Sequence, residues 1–162
     1  MNKLARMISV LFFIFWTTHL MFASCSNVQQ QKQQQQPDNT KPMYGEVAKS
    51  ASYKKSDEDF KKQCLEYFGT IDNAVEAHIE FAWEYFCQND LNTAMKRLNQ
   101  AWLLNPEYPD TYFGFAAIME MKDNKSEAER FYKMGHEKDT TKERAEICYQ
   151  RIESCKELLK NK

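Results

Sequence analysis

Apolar side chains recur every three to four positions through most of the chain beyond residue 55, the spacing that lines one face of a helix. Ser56-Asp57-Glu58-Asp59 has the form of a capped helix start. Phe60, Cys64, Tyr67 and Phe68 then make an apolar stripe that ends at Gly69. Val75, His78, Phe81, Ala82, Tyr85 and Phe86 form the next stripe, broken at Asn89-Asp90, where Asp90 offers an N-cap. Leu91, Ala94, Met95, Leu98, Ala101 and Trp102 follow. Asn105-Pro106 stops that helix, because the residue before a proline avoids helical geometry. Pro109-Asp110 starts another, Asp123-Asn124 ends it, and Glu127 to Gly135 continue as its partner. A last stripe runs through Ala145, Cys148, Ile152, Cys155 and Leu159, with Lys and Glu on its reverse side. The pattern predicts six main helices from about residue 56 to 160 and an all-α fold.

The chain also repeats itself at an offset of 34 residues. His78 aligns with Tyr112, Phe81-Ala82 with Phe115-Ala116, Tyr85 with Met119, Ala94 with Ala128, Leu98 with Tyr132 and Ala101 with Gly135. Small residues meet small ones, as close approach of two antiparallel helices requires. This period and these positions resemble the tetratricopeptide repeat, with its W-x2-L-G-x2-Y…A-x3-F…P pattern. In the first unit His78, Phe81, Ala82, Tyr85, Ala94, Leu98, Ala101 and Pro106 fill the slots, with His78 standing where Trp is usual. The second unit departs at Met119, Gly135 and Thr140. The resemblance implies a short solenoid of about two helix-turn-helix repeats (75–108 and 109–142) between flanking capping helices. Two such units bury too little by themselves, so the flanks must complete the core.

The first residues read as an address. Lys3 and Arg6 precede a mostly apolar run from Met7 to Phe22, followed by Ala23, Ser24 and Cys25. Phe22-Ala23-Ser24-Cys25 resembles the lipobox of bacterial lipoproteins, with Phe in place of the usual Leu. That resemblance implies cleavage after residue 24 and a covalent lipid on Cys25. An uncleaved anchor or a plain signal peptide are the alternatives, but the apolar run is short for a spanning helix of about 20 residues. Seven glutamines lie between positions 29 and 36. Such a stretch cannot bury apolar surface, so residues 25–55 are expected to form a flexible linker. Fully flexible, residues 26–55 would reach about 30 Å. Tyr44, Val47, Ala48 and Ala51 have helical spacing, so a short helix there is an alternative. The domain boundaries follow: signal 1–24, lipidated Cys and linker 25–55, helical domain 56–162.

Composition narrows the function. Four glycines and four prolines in 162 residues are well under the usual share of roughly 12%, which disfavours a many-stranded sandwich or barrel. The net charge is −1, from 22 basic and 23 acidic residues. Loss of Lys3 and Arg6 with the signal would take it to −3, so nucleic acid is not an expected partner. His78 and His136 are the only histidines after residue 24. His78 reads as a packed or hydrogen-bonded core residue, and His136-Glu137 lacks the second His of a zinc protease. No nucleophile elbow, phosphate loop or paired carboxylates stand out. The expectation is a protein that is not an enzyme and holds no metal and no cofactor beyond the lipid. Lipidation of Cys25 would leave Cys64, Cys87, Cys148 and Cys155, with three connectivities open. Cys148 and Cys155 cannot pair within one straight helix, where seven residues rise about 10.5 Å against a limit of roughly 7 Å. Buried thiols are the simpler reading for Cys64, Cys148 and Cys155.

The repeat resemblance implies a concave face lined by the first helix of each pair. In family geometry it carries Glu76, Ile79, Trp83, Phe86 and Cys87 from one unit and Asp110, Phe113, Ala117, Glu120 and Met121 from the next. Some relatives grip a carboxylate with Lys, Asn and Arg on that face; here the slots hold Ile79, Glu80, Trp83, Phe113 and Gly114. The expected function is a membrane-tethered scaffold that binds a segment of another cell-envelope protein. Ile79, Trp83, Phe86 and Phe113 would hold an apolar peptide, and Glu76, Asp110 and Glu120 would favour basic flanks. On that reading, replacing Trp83 and Phe113 by Ala removes capture without unfolding. Burial of both under a flanking segment is the competing reading. A self-associating structural lipoprotein, closing its apolar face as a homodimer, is the alternative function. The whole chain, with Met43-Tyr44-Gly45 and the run KRLNQAWLLNP at 96–106, also resembles small repeat lipoproteins of Bacteroidota. Ser26 after the Cys, and a first acid only at Asp38, imply by that resemblance the outer membrane, facing the periplasm.

Overall fold

The computed structural model describes residues 36–161. The signal, Cys25 and most of the glutamine tract lie outside the described residues. Six α-helices follow one another: α1 Ala51–Phe68, α2 Ile71–Cys87, α3 Leu91–Leu104, α4 Pro109–Met121, α5 Lys125–Lys138 and α6 Glu143–Lys160. No strand occurs among the described residues, so the fold is all-α. None of these helices is long and apolar enough to cross a membrane.

The stops and starts have local causes. Thr70 caps α2 by accepting from the Asn73 N–H at 3.1 Å, Asp90 caps α3 through Thr93 at 3.0 Å, and Asn124 caps α5 through Glu127 at 3.4 Å. Three-residue connections make α2/α3 and α4/α5 antiparallel hairpins, and these are the two most closely packed pairs. The 34-residue offset recurs in their backbone hydrogen bonds. The N–H of Asp90 donates to Tyr85 and that of Asn124 to Met119, both at 2.9 Å. Further on, Asn105 donates to Ala101 and Asp139 to Gly135, again both at 2.9 Å. Asn89 and Asp123 hold the same left-handed position, at φ 62° and 57°. Each is a short polar residue, a type that tolerates this conformation.

Small residues set the spacing between helices. Ala94 and Ala101 are fully buried, and Ala82 is nearly so. A Cβ on Gly114 would stand 2.6 Å from Leu98, and one on Gly135 would stand 2.8 Å from Phe113. Both glycines therefore mark close crossings, α4 on α3 and α5 on α4. Phe86, Met95, Leu98, Phe113, Phe115, Ile118 and Phe131 fill the shared core. Burial of such side chains contributes about 1.5–3 kcal/mol each.

Two features differ from the sequence expectation. Helix α1 begins at Ala51, not near residue 56, because Ser50 already caps it by accepting from the Tyr53 N–H at 3.4 Å. The acidic run at 57–59 is mid-helix, and Asp57 instead receives Lys49 at 2.7 Å. The residues ahead of α1 are not a free coil from Asp38 onward. Asn99, fully buried on α3, donates to the Asn39 and Lys41 carbonyls at 3.2 and 2.9 Å and accepts from the Tyr44 N–H at 3.4 Å. A buried amide needs such partners, and this strap supplies them. Glu46 reinforces it with an ion pair to Arg130 at 2.6 Å. Met43, Tyr44, Gly45 and Glu46 all take left-handed backbone angles inside the turn Pro42–Glu46. Each non-glycine residue in that region costs about 1–2 kcal/mol, so the strap stays in place through its contacts and not through backbone preference.

Candidate functional site

The expected concave groove is filled by the chain itself. Ile79, Trp83, Phe86 and Phe113 are at most 4% exposed. They are core residues here, not surface anchors. Helix α6 supplies the cover. Phe113 packs against Tyr149 of α6 and His136 of α5, with ring centroids at 5.9 and 5.3 Å. Arg151 lies over Trp83 at 5.9 Å and bonds Glu80 at 2.7 Å. A disulfide joins Cys87 at the end of α2 to Cys155 on α6, with α-carbons 4.7 Å apart. Cys155 is therefore not the free buried thiol expected from its stripe. Cys64 and Cys148 are free and buried. Burial pushes both thiols up, which disfavours the reactive thiolate.

The three acids expected to favour basic flanks are all engaged within the chain. Asp110, 3% exposed, takes a two-pronged contact from Arg144 at 2.8 and 2.6 Å. Arg144 also donates to the Tyr108 hydroxyl at 2.7 Å, and that hydroxyl donates to Glu76 at 3.2 Å. Burial pushes the Tyr108 phenol up to about 12. The hydrogen bond from Arg144 to Asp110 holds the guanidinium above its ordinary value. Positions 76, 110 and 144 share the 34-residue offset. The third of them is basic, which turns an acidic rim into an internal ion pair. Glu120 accepts from Tyr132 at 3.1 Å and from Lys156 at 3.4 Å.

An open apolar surface lies elsewhere, in a cleft of about 560 Å³ among α1, α2 and α3. Phe60, Tyr67 and Phe68 line it from α1, His78 and Phe81 from α2, and Arg97 from α3. Tyr67 is 83% exposed and Phe81 39%. Leu65 on α1 is exposed as well. His78 meets the rings of Phe60, Phe68 and Phe81 at 5.6–6.1 Å, near edge-on to the first. Its Nδ1 donates to the Ala74 carbonyl at 2.7 Å, so the neutral ring keeps Nε2 as an acceptor. Burial lowers the His78 pKa and favours that neutral form. The core-histidine reading thus describes its bond, while its ring also forms one wall of a cleft.

A second cleft of about 480 Å³ lies under the strap, between Pro42, Gly45, Met119 and Arg130. Arg130 there is already bound to Glu46 and Glu127 at 2.6 and 2.7 Å. Among the described residues no three His, Cys, Asp or Glu side chains gather as a metal site would require. The aromatic cleft was hidden in the sequence because Phe81 falls on the same stripe as Val75 and Phe86. Its place beside α1, which covers α2 and α3 incompletely, leaves it open. No protein-family model, curated protein or solved structure matches the chain.

Proposed function

We propose that this chain is an exported, lipid-anchored tetratricopeptide-like scaffold that binds an apolar segment of another envelope protein. The binding surface on this reading is the cleft among α1, α2 and α3, in place of the concave groove. The observation that carries it is the exposure of Tyr67 and Phe81 beside a formed aromatic pocket. Large rings in a concave setting are favoured binding anchors. The hairpin hydrogen bonds repeated at 34 residues support the repeat reading. The Cys87–Cys155 disulfide supports export, since such bonds persist in oxidising compartments. Cys25 would carry the lipid, and the residues between it and Asp38 would give the domain its distance from the membrane.

The test is photocrosslinking in intact cells with a benzophenone side chain at position 67, and separately at position 83. A heterologous protein joined at 67 and lost on Phe81→Ser, with nothing joined at 83, is the expected result. Products containing only this chain would instead establish the homodimer. A partner joined at 83 and not at 67 would return the function to the concave face.

A further inference from the structure

The cleft carries one charge that the chain leaves unanswered. Four arginines fall among the described residues, and three of them bind carboxylates: Arg130, Arg144 and Arg151. Arg97 does not; among the described residues its only side-chain hydrogen bond runs from Nη1 to the Gln100 amide oxygen at 3.0 Å. Its Nε is buried without a partner. Buried polar groups normally have one, and Nη2 likewise makes no hydrogen bond to a described residue. The guanidinium stands 5.8 Å from the Phe81 ring, which fixes it beside the aromatic wall. Glu66 lines the same cleft, but it faces Lys62 at 3.8 Å. The other lining groups between them, Gln63 and Gln100, are neutral. Arg97 is therefore the one charged lining group without an opposite charge beside it among the described residues.

We infer that the cleft takes an apolar segment carrying an acidic side chain, with its aromatic or aliphatic residue against Phe60, Phe68 and Phe81 and its carboxylate on Arg97. The inference rests on the reading of this cleft as the partner surface. It reverses the charge expected of the partner. Glu76, Asp110 and Glu120 suggest a basic segment only while they are taken as free, and all three are engaged within the chain. Nη1 gives one hydrogen to Gln100, and the remaining Nη1 and Nη2 hydrogens can be donated to a carboxylate, a charge-assisted contact stronger and more directional than a neutral pair. Arg97 would thus set specificity while the rings supply contact area.

Selection from a random twelve-residue peptide library on phage tests this, with the full chain in detergent as bait. Bait variants are Arg97→Glu, Arg97→Gln and Phe81→Ser, each checked by circular dichroism for an unchanged melt. Peptides enriched on the unaltered chain should combine an aromatic or large aliphatic residue with Asp or Glu. Their affinity should fall at least ten-fold on Arg97→Gln, and selection on Arg97→Glu should enrich Lys or Arg instead. Apolar peptides that bind equally well to the unaltered chain and both Arg97 variants, yet not to Phe81→Ser, would overturn the acidic partner and leave the cleft standing. Binding that ignores Phe81→Ser, or no enrichment at all, would overturn both. Basic peptides enriched on the unaltered chain would also overturn the charge assignment.

Discussion

Asp110 is a carboxylate with almost no water around it, and Arg144 meets it with two nitrogens. Removing the guanidinium leaves an uncompensated buried anion. Breaking a fully buried pair costs about 3–5 kcal/mol, but the Arg144 side chain is 37% exposed, so water softens the loss to about 2–3 kcal/mol. Arg144→Met should lower stability by that amount in urea unfolding, whereas Arg144→Met on an Asp110→Asn background should cost about 1 kcal/mol or less. Equal costs on both backgrounds would show that Arg144 acts through packing and its bond to Tyr108, not through Asp110. The residue scale is where sequence reading succeeded least at the site. Asp110 and Glu76 stand at equivalent positions and look like two free acids of a groove. Their fates depend on Arg144, a further period along, and no local signal marks it as their partner. Arg97 was equally silent, because an arginine on a helix is ordinarily solvated, and only the absence of a facing carboxylate distinguishes it.

At the scale of elements, most of the helical boundaries were legible. Asn89-Asp90, Asn105-Pro106 and Asp123-Asn124 punctuate the chain by mechanisms that act within a few residues. The start of α1 was misplaced because two capping signals compete, Ser50 and Ser56; Ser50 accepts from the Tyr53 N–H, while the Ser56 hydroxyl turns back to the Ser52 carbonyl at 3.2 Å inside the helix. Helix α6 was legible as an amphipathic helix, but what its apolar face covers was not, since that is a matter of long-range packing. The disulfide fixes that choice by joining positions 68 residues apart. Closing a loop of that length is worth about 4 kcal/mol on chain entropy. Reduction, or Cys155→Ser, should therefore lower unfolding stability by up to about 4 kcal/mol, measured by urea titration with and without dithiothreitol. Cys64→Ser and Cys148→Ser should not make the protein insensitive to the reductant, because neither takes part in the bond. A reductant-insensitive wild-type titration would mean that α6 is held by packing and its ion pairs without the disulfide.

For the whole molecule, the closing of α6 over α2 and α4 changes what a groove variant means. Trp83 is 4% exposed and Phe113 is fully buried, and they pack against α6 through Arg151 and Tyr149. Had the concave face been open, Trp83→Ala with Phe113→Ala would have stripped a binding surface from an intact fold. In this structure each substitution opens a cavity in the core, at a cost of about 3–5 kcal/mol. The sites share the α6 interface, so the costs need not add, but together they approach the total stability of about 5–15 kcal/mol typical of a native domain. The double variant should lose its cooperative thermal transition by circular dichroism, or melt well below the unaltered chain. Phe81→Ser should leave the transition nearly in place, because Phe81 is already 39% exposed. The two variants thus separate the faces of the molecule. A double variant that melts normally and no longer binds would restore the concave groove as the site. A double variant that unfolds, beside a Phe81→Ser chain that folds and fails to bind, would assign binding to the cleft among α1, α2 and α3.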